Sequence, residues 1–445
     1  MKKFLVVLVV VAMALMSSMA FAAAEVTVGG SVDVRSRAFT NLDLNGDTPA
    51  NSDRYTQERI RLNVDAKAGD AKAKITLEND WNKWGSATDG VTNLGIGGAG
   101  AVESKQIDAN GTPGLGFREA WLDTPIVGAL HLKAGHQFLQ LGNGWFLRNM
   151  KYGDDAWLAY AGLDTLTVAL ADAKIAERSN DRDSDFYAGL AVLKLGDLGT
   201  VGADASHVVL AKKQYPTAAA GGNVLDNLGL NTNLNLGLVK LQGELDLQMG
   251  KDKTNTATVS KYKGNQVVFQ GTVPMDKVAI NFTAARGTGD DYNSTSNDTK
   301  TMIPVLDTDP HYTVAYEYLI GQSLAGKFAS GNAVGAHWGF ANTTALSAGA
   351  DVTLGSVTLG ANFWYLQATK KISQDTTNVL LPASNNLGME VDGRVNWKLS
   401  DAVSWNWNLA YFLPGDAYKT TDAVTGGVKN PDNATVIQGV LSMKF

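Results

Sequence analysis

The 445 residues contain no cysteine. That excludes disulfides, thiolate-held metals, iron–sulfur clusters and covalently attached c-type haem on this chain. An exported chain without disulfides needs another source of rigidity, and a sheet closed on itself supplies one. Long apolar runs are also missing. The only one, Phe4 to Met16, is shorter than the roughly 20 residues a membrane helix needs. A mature chain inserted through helices is therefore excluded. Positive charge is not in excess, with 38 basic against 44 acidic residues, which argues against nucleic acid as a partner. Histidine is scarce, and His131, His136, His207, His311 and His337 show no metal-ligand spacing. No cofactor is expected.

The start of the chain reads as a secretory leader. Met1-Lys2-Lys3 is a short positive region, Phe4 to Met16 is apolar, and Ala20-Phe21-Ala22 is a small-x-small cleavage site. The expected division is a removed leader over 1–22 and one mature domain over 23–445. Losing Lys2 and Lys3 leaves 36 basic against 44 acidic groups, a balance of −8. No linker or compositional break divides the mature chain. No fixed internal repeat suggests a solenoid or propeller.

What the chain has is alternation. Val26, Val28, Val32 and Val34 share one parity, with Asp33, Arg35 and Arg37 on the other. Ile60, Leu62 and Val64 alternate with Arg59, Arg61 and Asp65, and Leu245, Leu247 and Met249 with Glu244, Asp246 and Gln248. Period two over ten to fifteen residues describes strands with one apolar and one polar face. Such lengths suit tilted membrane crossings. Lipid satisfies no backbone amide, so these strands must close into a barrel.

Short turns such as 69–70, 355–356 and 400–401 alternate with longer polar stretches. We expect nine long loops: 40–53, 85–113, 140–154, 178–184, 214–224, 251–261, 289–335, 371–386 and 414–433. Nine loops mean eighteen strands, with sixteen as the alternative, in a single all-β transmembrane antiparallel barrel. Short turns face the periplasm and long loops the outside. The apolar alternation at 311–319 would add a nineteenth strand, and parity places it inside the long 289–335 loop. Tryptophans near strand ends, Trp81, Trp84, Trp121, Trp145, Trp405 and Trp407, are expected in interfacial girdles.

The chain ends on "TVIQGVLSMKF", with Ile437, Gly439, Leu441, Met443 and Phe445 on one face. This resembles the closing strand of bacterial outer-membrane barrels, which end on an aromatic residue. Residues 117–146 resemble a hairpin of the large porin and alginate-export-like barrels. Arg118-Glu119-Ala120-Trp121 matches its first strand and Gly135-His136-Gln137 its second, with His136 where that family usually has arginine. The resemblance implies an eighteen-stranded channel of the outer membrane, surrounded by lipid and lipopolysaccharide, passing small hydrophilic solutes or ions. The departure at His136 removes a permanent charge and weighs against export of an anionic polysaccharide. Other readings are a barrel sheath around a partner such as a multihaem cytochrome, or a homo-oligomer. No compact Ser/His/acid set stands out at the rim, so an enzyme is not expected.

The candidate pore lining is charged. Arg35, Arg37, Arg59, Arg61, Lys72, Lys74 and Arg118 share the lumen parity near the start of the barrel. Strands nine positions apart lie across an eighteen-stranded barrel, which sets Arg59 and Arg61 opposite Glu244 and Asp246. A basic wall facing an acidic one would sort solutes by charge. The alternative is that these charges neutralise one another within the wall. The stretch 140–154, with Trp145, Phe146, Arg148 and Lys151, is expected to fold inward and narrow the pore.

Overall fold

The structure, a computed structural model, describes residues 24–44, 52–84, 116–176, 184–210, 223–252, 259–291, 298–305, 312–317, 339–372, 383–421, 425 and 427–445. The expected leader over 1–22 lies outside these residues. Eighteen strands, each antiparallel to the next, close into one barrel. They are β1 (Glu25–Thr40), β2 (Asp53–Ala68), β3 (Ala71–Lys83), β4 (Gly116–Val127), β5 (Leu130–Leu141) and β6 (Leu147–Gly162). Next come β7 (Leu166–Ala176), β8 (Ser184–Lys194), β9 (Gly199–Leu210), β10 (Asn223–Asn235), β11 (Lys240–Asp252) and β12 (Asn265–Met275). The last six are β13 (Val278–Gly287), β14 (Thr343–Leu354), β15 (Val357–Ile372), β16 (Ser384–Lys398), β17 (Val403–Pro414) and β18 (Ala434–Lys444). No helix among the described residues is long and apolar enough to cross a membrane.

The two faces of each strand separate as the period-two pattern requires. On β9, Gly202, Asp204, Ser206 and Val208 are buried while Val201, Ala203, Ala205 and His207 between them are exposed. On β17, the outward side chains are Trp405, Trp407, Leu409, Tyr411 and Leu413. Five apolar positions at two-residue spacing span about 20 Å along the membrane normal, at ~3.3 Å per residue and ~40° tilt. An exterior of this kind suits lipid. Inward-facing side chains carry the polar set and, towards the loop end, an apolar core built jointly from strand residues and the barrel's own loops.

The barrel closes where β1 pairs with β18, from Ser31 opposite Lys444 to Thr40 opposite Thr435. The Phe445 amide donates to the Gly30 carbonyl at 3.1 Å, and the Gly30 amide returns a bond at 2.9 Å. The Phe445 ring packs on the bare α-carbon of Gly30. A Cβ there would lie 2.4 Å from the Arg61 carbonyl oxygen and 2.7 Å from the ring. Gly30→Val is expected to cut the yield of closed barrel sharply, read as the heat-modifiable band in electrophoresis; an unchanged yield would show this contact to be dispensable.

Three local expectations change. Residues 147–154 belong to β6, so the inward connection shortens to Gly142–Phe146. Trp121 is not in a girdle: its Nε1 donates to Glu119 and its face receives Lys133 at 4.0 Å, both inside the barrel. Trp145 is also interior, buried among loop residues. Trp121 lies midway along β4 on the inward parity, and Trp145 lies in the β5–β6 connection, which folds inward. Residues 312–317 form a tight turn ending in a π-helical pair within the long connection between β13 and β14.

Candidate functional site

The basic residues on β1 to β4 share one region of wall and find their partners there. Arg59 donates to Asp33 through Nε at 3.0 Å and Nη2 at 2.8 Å. Arg61 and Arg118 converge on Glu78, Arg118 reaching both carboxylate oxygens at 2.9 Å. Lys74 meets Glu119 at 2.9 Å. Arg35 donates to Gln57, and Arg37 to Gln438 and Tyr55, both deeply buried. Lys72 is exposed at the turn end of β3.

These pairs are not electrically flat. The side chains of Arg59, Arg61 and Lys74 are 21, 23 and 27 % exposed, while Asp33, Glu78 and Glu119 are 8, 3 and 9 % exposed. Each pair therefore hides its carboxylate in the wall and presents its cation. Pairing within the wall still leaves a cationic surface.

Glu244 and Asp246 do something else. Asp246 accepts from Asn227 at 2.9 Å and Gln266 at 2.8 Å. Glu244 accepts from three backbone amides of the β5–β6 turn: Asn143 at 2.5 Å, Trp145 at 3.0 Å and Phe146 at 3.1 Å. The expected acidic wall is thus replaced by an anchor. The carboxylate binds amides that an inward turn cannot otherwise satisfy. Gly142 holds this turn at φ +54°, and a Cβ there would meet the Glu244 carboxylate at 2.7 Å.

The same device recurs five strands further round the barrel. Glu390 on β16 accepts from the amides of Val314 at 2.9 Å, Ala315 at 2.7 Å and Tyr316 at 2.7 Å. The two anchored segments meet: Trp145 packs against Tyr312, ring centroids 6.3 Å apart, and against Phe340 at 4.8 Å. Tyr312 stacks closely on Phe340 at 4.3 Å. Burial pushes the Tyr312 and Tyr316 phenols well above their usual range, so both stay neutral in this knot. Gln248, one turn of the pleat beyond Asp246, both donates to and accepts from Ile303, docking a further loop segment beside Phe146. The interior is therefore narrowed by two loops tied to strands five positions apart in the barrel.

Beside the 142–146 turn lies an apolar recess with a volume of about 140 Å³, lined by Leu139, Leu141, Leu158, Phe186 and Leu190 among others. Phe138 forms part of its edge, and the Arg118 guanidinium lies 5.0 Å from that ring. A cation thus stands at the rim of a greasy hollow. Among the described residues, no group of three His, Asp or Glu side chains is placed to hold a metal ion.

Sequence reasoning missed Glu390, Gln248, Tyr312 and Phe340. A signal existed for the first: Glu244-Leu245-Asp246 and Glu390-Val391-Asp392 are the same acidic couplet set inside apolar alternation. The hydrogen-bonding loops lie 98 to 101 and 74 to 76 residues earlier, which no spacing pattern reveals.

Comparison with solved structures finds barrels of the same architecture over nearly the whole chain. The fold is that of the eighteen-stranded outer-membrane porins. OpdK from Pseudomonas aeruginosa, solved with vanillate, superposes with a TM-score of 0.54 at 10 % identity, covering 94 % of this chain and 98 % of its own. A BenF-like porin from Pseudomonas fluorescens Pf-5 gives 0.55 at 10 % identity, covering 95 % and 99 %. OccK2 (OpdF) from P. aeruginosa, in complex with glucuronate, gives 0.54 at 10 %, covering 94 % and 98 %. No family model and no curated protein sequence matches the chain. The hydrogen bonds to Glu244 and Glu390 hold both loops on the inner side of that barrel wall.

Proposed function

We propose that this chain is a passive diffusion channel of the Gram-negative outer membrane that favours small organic anions. The observation that carries the reading is the asymmetric exposure of the wall pairs, with cations towards the interior and carboxylates behind them. A solute carboxylate approaching that wall meets accessible guanidinium and ammonium groups. The apolar recess beside Arg118 suits the body of an acid that is part carbon. Two of the similar barrels were solved with vanillate and glucuronate, both carboxylates, which supports the same class. The mechanism is geometric and electrostatic: loops set the radius, the wall sets the sign, and no covalent step is needed.

The sheath reading fares worse. A sheath must leave its interior to a partner, and here the barrel's own loops fill much of that space with buried aromatic side chains. Bilayer recordings and liposome uptake test the proposal. Anion-selective conductance, with glucuronate and vanillate entering faster than a neutral sugar of similar size, is expected. Cation selectivity, or no conductance from the purified protein, would overturn it.

A further inference from the structure

The outward face is uneven, and one sector does not suit lipid. On β17 five apolar side chains follow one another outward, Trp405 to Leu413. On β5, β6, β7 and β9 only three do before a charged or ionisable residue interrupts: His136, Asp155, Asp172 and His207 respectively. The apolar height falls from about 20 Å to about 10 Å, against the ~25 Å band expected of such barrels. Asp155 is 78 % exposed, so it is not tucked away.

These residues form an ordered row. In strand register His136 lies opposite Asp155, Asp155 opposite Lys174, and Lys174 opposite Asp185. His136 Nδ1 is 2.9 Å from Asp155, and Lys174 Nζ is 2.6 Å from Asp185. Beneath the row the side chains are small on β5 and β6, with Ala134, Ala159 and Ala161. Leu170 on β7 and Trp157 on β6 project beside them, 68 and 60 % exposed. Charge at lipid depth is costly unless covered, and small residues let a second backbone come close.

We propose that the β5–β8 face packs against a second copy of this chain, about a two-fold axis along the membrane normal that passes between β6 and β7. The centre of the row is self-complementary about that axis. Asp155 of one copy comes opposite Lys174 of the other, a contact that occurs twice. A lipid headgroup of one sign would match only half of an alternating row. Two convex barrels touch along few strands, and β5, β6 and β7 are three consecutive strands that share this early interruption.

The absence of native cysteine makes the test direct. Leu170→Cys, oxidised in native membranes, is expected to give a disulfide-linked dimer, while Leu409→Cys on the far side of the barrel stays monomeric. Lys174→Asp alone should dissociate the dimer in native mass spectrometry, and Asp155→Lys with Lys174→Asp should restore it. Heat-modifiable mobility verifies that each variant is a closed barrel. No cross-link at Leu170→Cys, equal cross-linking at Leu409→Cys, or a wild-type protein that is monomeric because lipid headgroups cover the row would each overturn the proposal.

Discussion

Replacing Glu244 with alanine is expected to raise single-channel conductance, because the β5–β6 turn loses the acceptor for three of its amides. Each hydrogen bond to a charged acceptor contributes about 1.5–3 kcal/mol net. Losing even one or two shifts the ratio of seated to released turn by a factor of about 10². The barrel itself keeps its strand ladder, so heat-modifiable mobility should be unchanged. Glu244→Gln retains one acceptor oxygen and should fall between wild type and alanine. Glu390→Ala acts on the other loop through Val314, Ala315 and Tyr316, and the two together should open the channel most. Because Trp145 and Tyr312 pack on one another, the double variant should exceed the sum of the singles. Wild-type conductance in all of these variants would show that the anchored loops do not set the radius.

The second large effect concerns sign. Changing Arg59, Arg61 and Lys74 together to glutamine strips the exposed cations and leaves Asp33 and Glu119 without theirs. Arg118 stays, still bonded to Glu78. The anion-to-cation permeability ratio is expected to fall by about tenfold, equivalent to ~1.4 kcal/mol, a modest part of the ~4 kcal/mol between unit charges 4 Å apart near a protein surface. Reversal potentials across a KCl gradient read this directly. The shift should shrink at 1 M salt, where screening acts within ~3 Å. Unmoved reversal potentials would remove the cationic wall from the mechanism.

The strand number and the loop side were legible because lipid forces a strict rule on the chain. Alternation at 59–64 or 244–249 can satisfy both a membrane and an interior in only one way. Placing 311–319 inside a loop followed from parity, and residues 312–317 indeed carry no strand. The site was less legible. The parity of Arg59 gave its face, but the exposure difference between Arg59 and Asp33 depends on side-chain packing three-dimensionally. Glu244 has the parity and charge of an acidic wall; its engagement by Asn143, Trp145 and Phe146 depends on how a turn folds about 100 residues away. Trp121 was misplaced because it lies midway along β4 on the inward parity, and Trp145 because its connection folds into the barrel.

The anchors also imply a timetable. The turn at 142–146 cannot seat until β11 has arrived with Glu244, and the segment 312–317 must wait for Glu390 on β16. A chain in which either strand has not taken its place leaves the matching loop without its acceptor and the interior unobstructed at that point. Constriction is then a product of completed assembly, and a barrel in which neither carboxylate has met its loop would leak more than the finished one.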